Sequence, residues 1–500
     1  MDMDMIDETE YLVSSSAKVF GKKPTFVPID DAHPFDLESY IAAYSGRTAV
    51  DRLTHIISVC PTIAPQAYVL ALARIQEGRD PGLYQSLITA YETVSRSVQD
   101  GSLTPVTELP MIDIRWIETT NTKNNAEKSK LEVELKTYTT NLIRESIRMA
   151  HRDLGHFFRS IGDYSSSLKH YSKSREFCSS SQHVVDMCMS VLELLLEQRN
   201  YSHVPTYVFK ADGALDSSAA RSNVPPNAAQ AAQLPPDAQL VAKQKAAAER
   251  EKVQTKLDVA TGLSYLGQGT YDKAAQAFLK AGPVKNLDEW ANKIVGPGDV
   301  AIYGTLCALA TYSRSAIKTA VLENDNFGVY IEQEPYVREL IEAYMSNKFK
   351  VVLETLEKFS TRHYTDIYLS NHVNSLVADI QNRALILYFQ PFATIKLERM
   401  SQAFGWTVER LEQQIVHLIQ KGDIQARVDR QNKILKAKTV DQRAELFARA
   451  VKSGTDMQAT NRKLLLRMRL QQADLIVKQP KTGTQNVAMA DLLMGGGDAR

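Results

Sequence analysis

The chain has 500 residues, of which 44% are hydrophobic and 23% are charged, and its formal net charge is +1. This length allows two to four domains with buried cores, and the near-zero net charge gives no general attraction to nucleic acid or membranes. The four cysteines show no C-x-x-C spacing, which argues against a disulfide framework and a zinc site. These properties predict a soluble intracellular protein.

The N-terminal part of the chain changes from polar to helical near residue 33. Residues 1–33 begin with the acidic stretch MDMDMIDETE, which lacks the basic start and apolar run of a signal peptide. We expect this segment to be disordered. Leu53, Ile56 and Cys60 then recur at helical spacing, and we predict an N-terminal helical region over 34–137.

Two later stretches share one spacing of small and aromatic residues. The first, DLGHFFRSIGDYSSSLKHYSKSRE, contains Gly155, Phe158, Gly162, Tyr164, Ser167, Tyr171 and Ser174. The second, TGLSYLGQGTYDKAAQAFLKA, contains at the same intervals Gly262, Tyr265, Gly269, Tyr271, Ala274, Phe278 and Ala281. This is the pattern of the tetratricopeptide repeat, a pair of antiparallel helices of about 34 residues. The expected repeat core includes Gly155, Phe158, Tyr171, Gly262, Tyr265 and Phe278.

Weaker copies follow Tyr201 and Phe349, so we predict a tetratricopeptide-like helical array over 138–334 and further helices beyond it. The segment 212–250 differs in being rich in Ala, Pro, Gln and Ser and in having no aromatic residue. Removing about 36 residues here leaves roughly one repeat length between Tyr201 and Tyr271. We therefore predict a disordered insertion over 212–250.

The hydrophobic period changes near the C-terminus. A helix ends at Gln390-Pro391, a second is expected from Ile395 to Phe404, and a third from Thr407 to Gly422. Ile424, Ala426 and Val428 then alternate with polar residues, and KILKAK follows a turn, which predicts a β-hairpin. Helices followed by a hairpin form a winged helix, here over about 384–438. A long helix over 441–478 and a flexible tail over 479–500 complete the chain.

A winged helix raises the possibility of nucleic-acid binding, with the third helix as the groove reader. That helix carries Arg410 and Lys421 against Glu409 and Glu412, so it has no net positive face. We favour a protein-docking winged helix without specific nucleic-acid binding, although a nucleic-acid-binding regulator stays open. The candidate docking residues on the first strand are Ile424, Gln425, Ala426, Arg427 and Val428.

The long last helix contains the basic amphipathic stretch NRKLLLRMRL. Such a stretch suits a membrane surface or a calmodulin-like groove. More often an apolar stripe of this kind packs against partner helices, and we favour that interpretation. The candidate residues for a helical bundle are Leu464, Leu465, Met468 and Leu475.

No motif in the sequence predicts catalysis. His151 and His156 are five residues apart, which does not match the metal-binding H-E-x-x-H spacing. Cys178 and Cys188 lack a neighbouring His/Asp framework, and no phosphate-binding glycine loop occurs. We expect no catalytic residue, no metal, no cofactor and no enzymatic activity.

Helical repeats that lead into a C-terminal winged helix resemble the PCI family, named for the proteasome lid, the COP9 signalosome and translation initiation factor three. Five strings carry the resemblance: YSGRTAVDRL, IRESIRMAHRDLGHFF, GDVAIYGTLCALAT, NRALILYFQPF and QKGDIQARVDRQNKILKAKTVDQR. They are similar to the subunit-one branch that belongs to the COP9 signalosome. The paralogous seventh non-ATPase branch of the proteasome lid is the nearest alternative. On this resemblance, residues 335–440 form the PCI domain.

The resemblance implies a non-catalytic scaffold in a complex that removes a ubiquitin-like modifier from cullin-RING ubiquitin ligases (deneddylation). It implies that the isopeptidase lies on another chain. The implied partners are other PCI-domain subunits, through PCI–PCI and helical-bundle contacts, and components of the cullin-RING ligases. The implied location is the nucleus and cytoplasm, without membrane association.

Overall fold

The computed structural model describes residues 26–27, 29–30, 33–98, 103–105, 108–222, 236–438 and 442–475. It is mainly α-helical, with one small three-stranded sheet near the C-terminus. The chain divides into two compact units: 1–424 together with 428–435, and 425–427 together with 436–500. The predicted disordered N-terminus falls mostly outside the described residues, and the predicted flexible tail does so entirely.

The first unit opens with short helices around a common core. They are α1 (Leu37–Ala42), α2 (Gly46–Val59), α3 (Ala64–Glu77) and α4 (Gly82–Ser97). The side chain of Asp36 caps α1 by accepting hydrogen bonds from the backbone N–H groups of Glu38 and Ser39. Leu53, Ile56, Tyr68 and Tyr91 are among the fully buried side chains. A long helix, α5 (Ile114–Thr140), leads from this core to the repeats and crosses the predicted boundary at 137.

Antiparallel helix pairs follow, as the repeat spacing predicts. They are formed by α6 (Arg144–Ser160), α7 (Tyr164–Ser174), α8 (Ser181–Glu197), α9 (Val204–Ser222), α10 (Pro236–Gly267) and α11 (Tyr271–Lys280). Asp163 caps α7 by accepting a hydrogen bond from the N–H of Ser166. Short turns at Gly162 and Gly269 join α6 to α7 and α10 to α11.

Within two of these pairs, a glycine lies directly under an aromatic ring. A Cβ atom built on Gly155 would lie 2.4 Å from Cε1 of Tyr171, and one on Gly262 would lie 2.6 Å from Cε1 of Phe278. Both rings are buried. Phe158 is also buried, whereas Tyr265 is half-buried. The close approach of the paired helices therefore depends on the missing side chains.

The prediction of a disordered insertion over 212–250 was too broad. Helix α9 continues to Ser222 and α10 begins at Pro236, so both ends of the segment are helical. Arg250 and Asp216 form an ion pair of 2.7 Å between the two helices. The alanine-rich composition explains the difference, because Ala, Gln, Lys and Glu favour helix where no core is needed. Residues 223–235 lie outside the described residues.

The remainder of the unit consists of short helices around one buried helix. They are α12 (Trp290–Lys293), α13 (Pro297–Thr311), α14 (Arg314–Ile317), α15 (Asp325–Ile331), α16 (Pro335–Met345), α17 (Phe349–Lys358), α18 (Ser360–Tyr364) and α19 (Val373–Phe389). Almost every residue of α13 is buried. Among the described residues, no helix combines the length and apolarity needed to cross a membrane.

A buried network of ion pairs joins three distant parts of this unit. Arg52 on α2 contacts Asp299 on α13 at 2.8 Å and Asp366, after α18, at 2.7 Å. Arg362 on α18 contacts the second oxygen of Asp299 at 2.7 Å. Arg52 and Asp299 are completely buried and Asp366 is 1% exposed. Tyrosine hydroxyls complete the network: Tyr40 accepts a hydrogen bond from Arg52, Tyr44 donates to Asp299, and Tyr303 donates to Asp366.

The charges in this network stabilise one another. Burial alone would raise the pKa of Asp366, but the attraction of Arg52 and Arg362 lowers that pKa to about 2. The same arrangement keeps the pKa of Arg52 well above its usual value, although burial acts in the opposite direction. Removing one partner would leave an opposite charge buried without compensation.

We predict that Gly155→Ala destabilises the protein. Alanine favours a helix over glycine by about 1 kcal/mol, but the new methyl group would overlap the ring of Tyr171, and overpacking costs about 1–3 kcal/mol. The matched control is Gly213→Ala on α9, where a Cβ meets no atom within 4 Å. Thermal unfolding should show a lower melting temperature for the first variant and an unchanged or higher one for the second. Equal melting temperatures would contradict the packing role of Gly155.

Replacing Arg52 by Met should lower the free energy of unfolding by about 3–5 kcal/mol, because Asp299 and Asp366 lose their buried partner. Arg96→Met, in an exposed pair with Glu92, is the control and should cost no more than about 1 kcal/mol. Urea unfolding measures both variants.

The buried ion pair between Arg52 and Asp366 also predicts how the stability depends on pH. Because the folded-state pKa of Asp366 is about 2 and the ordinary value is 3.8, its stabilising effect is present above about pH 4 and is lost as the pH falls toward 2. This part of the pH dependence should shrink in Arg52→Met. An unchanged acid limb would show that the network does not contribute to stability.

Candidate subunit interface

The predicted winged helix corresponds to two helices and a three-stranded sheet. The elements are β1 (Thr394–Lys396), α20 (Leu397–Phe404), α21 (Val408–Lys421), β2 (Ala426–Asp429) and β3 (Ile434–Ala437). Gly405 and Gly422 end the two helices in the left-handed conformation that favours glycine. The side chain of Thr407 caps α21 by accepting a hydrogen bond from the N–H of Arg410. The strand order is β1-β3-β2, so β2 is an edge strand.

Strand β1 was not foreseen, and the predicted second helix begins at Leu397 and not at about Ile395. Ile395 is buried between the exposed Thr394 and Lys396, which is the alternation of a strand. The backbone N–H of Leu397 then donates to the carbonyl of Lys433 at 2.9 Å and links the end of β1 to β3. Three residues are too few to establish a period, and the apolar pattern runs on into α20.

One backbone hydrogen bond fixes which groups face the open edge of β2. The N–H of Lys438 donates to the carbonyl of Gln425 at 2.9 Å, so Gln425 points its backbone groups toward β3. Successive residues of an antiparallel strand point these groups to opposite edges. Arg427 therefore also faces β3, whereas the N–H groups of Ala426 and Val428 point to the open edge. The sequence had left this assignment undecided.

The predicted docking residues all lie on β2 or directly before it. Ile424 and Ala426 have buried side chains, Val428 is half-buried, and Gln425 and Arg427 are exposed. The side chains of this strand thus anchor one face in the core. What remains accessible is the exposed pair of polar side chains, and the outward edge of β2 has no strand partner in the sheet.

Three of the basic groups on or beside α21 have an acidic or aromatic partner. Arg430 at the hairpin tip contacts Glu412 at 2.6 Å, and this hydrogen bond raises the pKa of Arg430. Arg410 lies over the ring of Trp406 at 4.8 Å, and Lys421 lies 3.4 Å from Asp423. A groove of about 260 Å³ between helix and hairpin is lined by Glu409, Glu412, Gln413, Val416 and Arg430. This surface has mixed charge and does not favour phosphates.

The second unit contains α22 (Gln442–Gln472), which exposes the predicted bundle residues. Leu464, Leu465, Met468 and Leu475 are 52%, 58%, 65% and 70% exposed. Leu475 lies just beyond the end of the helix. Leu464 and Met468 are four residues apart and share one face of the helix, and exposed apolar side chains of this kind are typical of a surface that contacts another protein.

The histidines and cysteines lie mostly inside the repeats and the core. Nδ1 of His151 lies 3.1 Å from Nδ1 of His170, and burial lowers the pKa of His151 to about 4. Burial also raises the pKa of Cys60 to about 12 and that of Cys188 to about 11. Within the described ranges, no three His, Cys, Asp or Glu side chains are placed to hold a metal ion.

Helical repeats followed by a winged helix define a PCI-domain protein, and the PCI domain model matches residues 343–439. The model described as 26S proteasome subunit RPN7 matches residues 113–320. The chain is 33% identical over 446 residues to COP9 signalosome complex subunit 1 of Arabidopsis thaliana, covering 89% of this chain and 91% of that protein. The chain belongs to the COP9 signalosome subunit 1 family.

Other relatives agree with this assignment. Identity to subunit 1b of Drosophila melanogaster is 32% over 482 residues, which covers 89% of this chain and 86% of the relative. The 26S proteasome non-ATPase regulatory subunit 6 homolog of Arabidopsis thaliana is 19% identical over 202 residues, 40% of this chain and 51% of that protein. The signalosome relatives are therefore matched over a larger share of the chain and at higher identity than this proteasome relative.

Proposed function

We propose that the chain is a non-catalytic scaffold subunit of the COP9 signalosome and supports removal of a ubiquitin-like modifier from cullin-RING ligases. The observation that carries this proposal is the open edge of β2 in a chain that is 33% identical to a signalosome subunit over most of its length. The relatives' names support membership of the complex, and the edge supports a way of binding the next subunit.

Strand addition is the contact we propose for the winged helix. An edge strand offers unpaired N–H and C=O groups to an extended segment of another chain. On β2 the outward backbone groups belong to Ala426 and Val428. Gln425, directly before Ala426, and Arg427, between Ala426 and Val428, have exposed side chains. A neighbouring PCI subunit could pair with this edge while the core face of the strand stays buried.

Two alternatives are less well supported. A nucleic-acid-binding regulator would need a basic reading surface, but the acidic Glu409 and Glu412 lie on α21 and Glu412 pairs with Arg430. A proteasome-lid subunit would share the RPN7-type repeats. The proteasome relative above, however, matches less than half of the chain.

The catalytic step belongs, in this proposal, to another subunit. Thiol chemistry on this chain is disfavoured because the buried Cys60 and Cys188 have raised pKa values. The repeats would contact components of the cullin-RING ligase, and the complex would act in the nucleus and cytoplasm. The isolated chain should therefore release no modifier from a conjugated cullin in a gel assay, and cleavage by it would overturn this part.

The edge contact is tested by Val428→Pro. Proline removes the N–H that faces outward and blocks pairing at the open edge, while the bonds from β2 to β3 remain. We expect unchanged helical circular dichroism, a melting temperature within a few degrees, and loss of co-purification with the neighbouring PCI subunit.

Arg427→Pro is the matched control, because it removes an N–H that faces β3 and should lower the melting temperature. Val428→Ala separates loss of the side chain from loss of the N–H and should still assemble. If Val428→Pro folds normally and assembles with the wild-type yield, strand addition at β2 does not join these subunits.

A further inference from the structure

The hairpin formed by β2 and β3 places two cations directly opposite each other. The N–H of Lys438 donates to the carbonyl of Gln425 at 2.9 Å, which makes these two residues a directly opposed pair of an antiparallel ladder. Two residues further into the hairpin, Arg427 on β2 therefore lies opposite Lys436 on β3. Directly opposed residues point to the same face of a sheet, with their Cβ atoms about 5 Å apart.

Both strands turn these basic side chains away from the core. On β2, Arg427 is exposed and its neighbour Ala426 is buried, and on β3, Lys436 is exposed and its neighbour Ala437 is half-buried. Lys438, two residues beyond Lys436, is exposed as well, and the strand period of two places it on the same face. Arg427, Lys436 and Lys438 thus form one group, the outer basic face.

No carboxylate among the described residues compensates the outer basic face. The ion pairs of the described winged helix use Lys421 and Arg430, and none includes a member of this face. The one carboxylate of β2, Asp429, accepts hydrogen bonds from the backbone and side-chain nitrogens of Asn432 in the turn, at 3.2 and 3.0 Å. Like charges that are directly opposed destabilise a sheet, so the two opposed cations lower the stability of the free hairpin.

We propose that the outer basic face binds an extended acidic segment of another protein, in which carboxylates lie two residues apart. Lys436 and Lys438 are about 7 Å apart along the chain, because a strand rises about 3.4 Å per residue. Alternate side chains of an extended partner segment have the same spacing, so each cation meets one carboxylate. Arg427 lies beside Lys436 and adds a guanidinium that can bind a carboxylate through two hydrogen bonds. This contact goes beyond the proposed function, because it uses side chains of the sheet face and not the backbone edge of β2.

A nucleic acid fits the outer basic face less well than an acidic peptide. Proteins that bind single strands combine a basic groove with aromatic side chains on which the bases stack, and residues 423–438 contain no aromatic residue. Three cations also provide fewer phosphate contacts than the roughly six to ten on which strong electrostatic binding of nucleic acid depends. A short acidic peptide needs only the two or three contacts that this face offers.

The test measures binding of two labelled synthetic peptides to the full chain by fluorescence anisotropy. One peptide alternates glutamate with serine, the other has glutamate at every third position, and both contain the same number of glutamates. We expect the alternating peptide to bind at least about threefold more tightly, because its carboxylates share one side of an extended chain, and we expect added salt to weaken its binding. Equal affinity for the two peptides, or no binding of either, would overturn the proposal.

Arg427→Gln with Lys436→Gln should weaken binding of the alternating peptide about tenfold or more. Arg449→Gln with Lys452→Gln is the matched control, because both side chains are exposed on α22 and their replacement removes the same charge. An equal loss in the two double variants would show a general attraction and overturn the site. Val428→Pro should bind the peptide normally; loss of binding in this variant would mean that the peptide pairs with the edge of β2, which would overturn the face contact and leave strand addition standing.

Hydrogen exchange of the free chain measures the repulsion between the opposed cations. Lys436→Gln removes one of the two charges, so the hairpin amides should exchange about two- to fivefold more slowly. Lys438→Gln is the control, because Lys438 lies opposite the neutral Gln425, and it should change the rates less. Slower exchange together with weaker peptide binding excludes unfolding as the cause of the lost binding. Equal or faster exchange in Lys436→Gln than in the wild-type chain would overturn the electrostatic basis of the proposal.

Two further assays address the other anionic ligands. The wild-type chain is mixed with single-stranded oligothymidine and, separately, with phosphatidylserine vesicles, and we expect both to bind more weakly than the alternating peptide. Tighter binding of either ligand that Arg427→Gln with Lys436→Gln abolishes would assign the outer basic face to that ligand and overturn the proposal. None of these assays uses the other subunits, so their outcome is separate from that of the co-purification that tests the proposed function.

Discussion

A guanidinium buried without contact to water is unfavourable unless carboxylates surround it, and Arg52 meets this condition only when three distant segments come together. Its partners, Asp299 and Asp366, lie 247 and 314 residues further along the chain. The N-terminal helices, the buried helix α13 and the turn that precedes α19 are thereby fixed to one another. Helix α19 is followed along the chain by β1 and α20, the first elements of the winged helix.

The helices of the repeats are held together by contacts between glycines and aromatic rings, whose residues are closer in the sequence. Where the two helices of one pair cross, an aromatic ring from one helix occupies the space that a side chain on the other would need, as at Gly155 and Gly262. The same device links consecutive pairs, because a Cβ on Gly267 would lie 2.2 Å from the ring of Tyr201. Tyr201 also accepts a hydrogen bond at its carbonyl from Ser264 at 2.9 Å. Contacts of this kind allow α9 and α10 to be lengthened without disturbing the array.

Features that depend on residues close together in the sequence could be predicted, whereas features that depend on contacts between distant residues could not. The helix pairs were predictable because glycines and aromatics recur at fixed spacing, and the hairpin because Ile424, Ala426 and Val428 alternate with polar residues. The ionic network was not, because no local pattern shows which carboxylate Arg52 will meet. Strand β1 was missed because three residues show no period. The outward N–H groups of β2 could be assigned only once its bonds to β3 were known.

The two candidate contacts differ in strength. The outward N–H and C=O groups of Ala426 and Val428 can form up to four backbone hydrogen bonds, each contributing about 1 kcal/mol net, which is too little by itself to hold a subunit. Burying the exposed leucines and methionines of α22 contributes about 1.5–3 kcal/mol for each side chain. The helix can therefore provide most of the affinity, whereas the strand, whose bonds form in only one register, can determine which neighbour lies beside the winged helix and in what orientation.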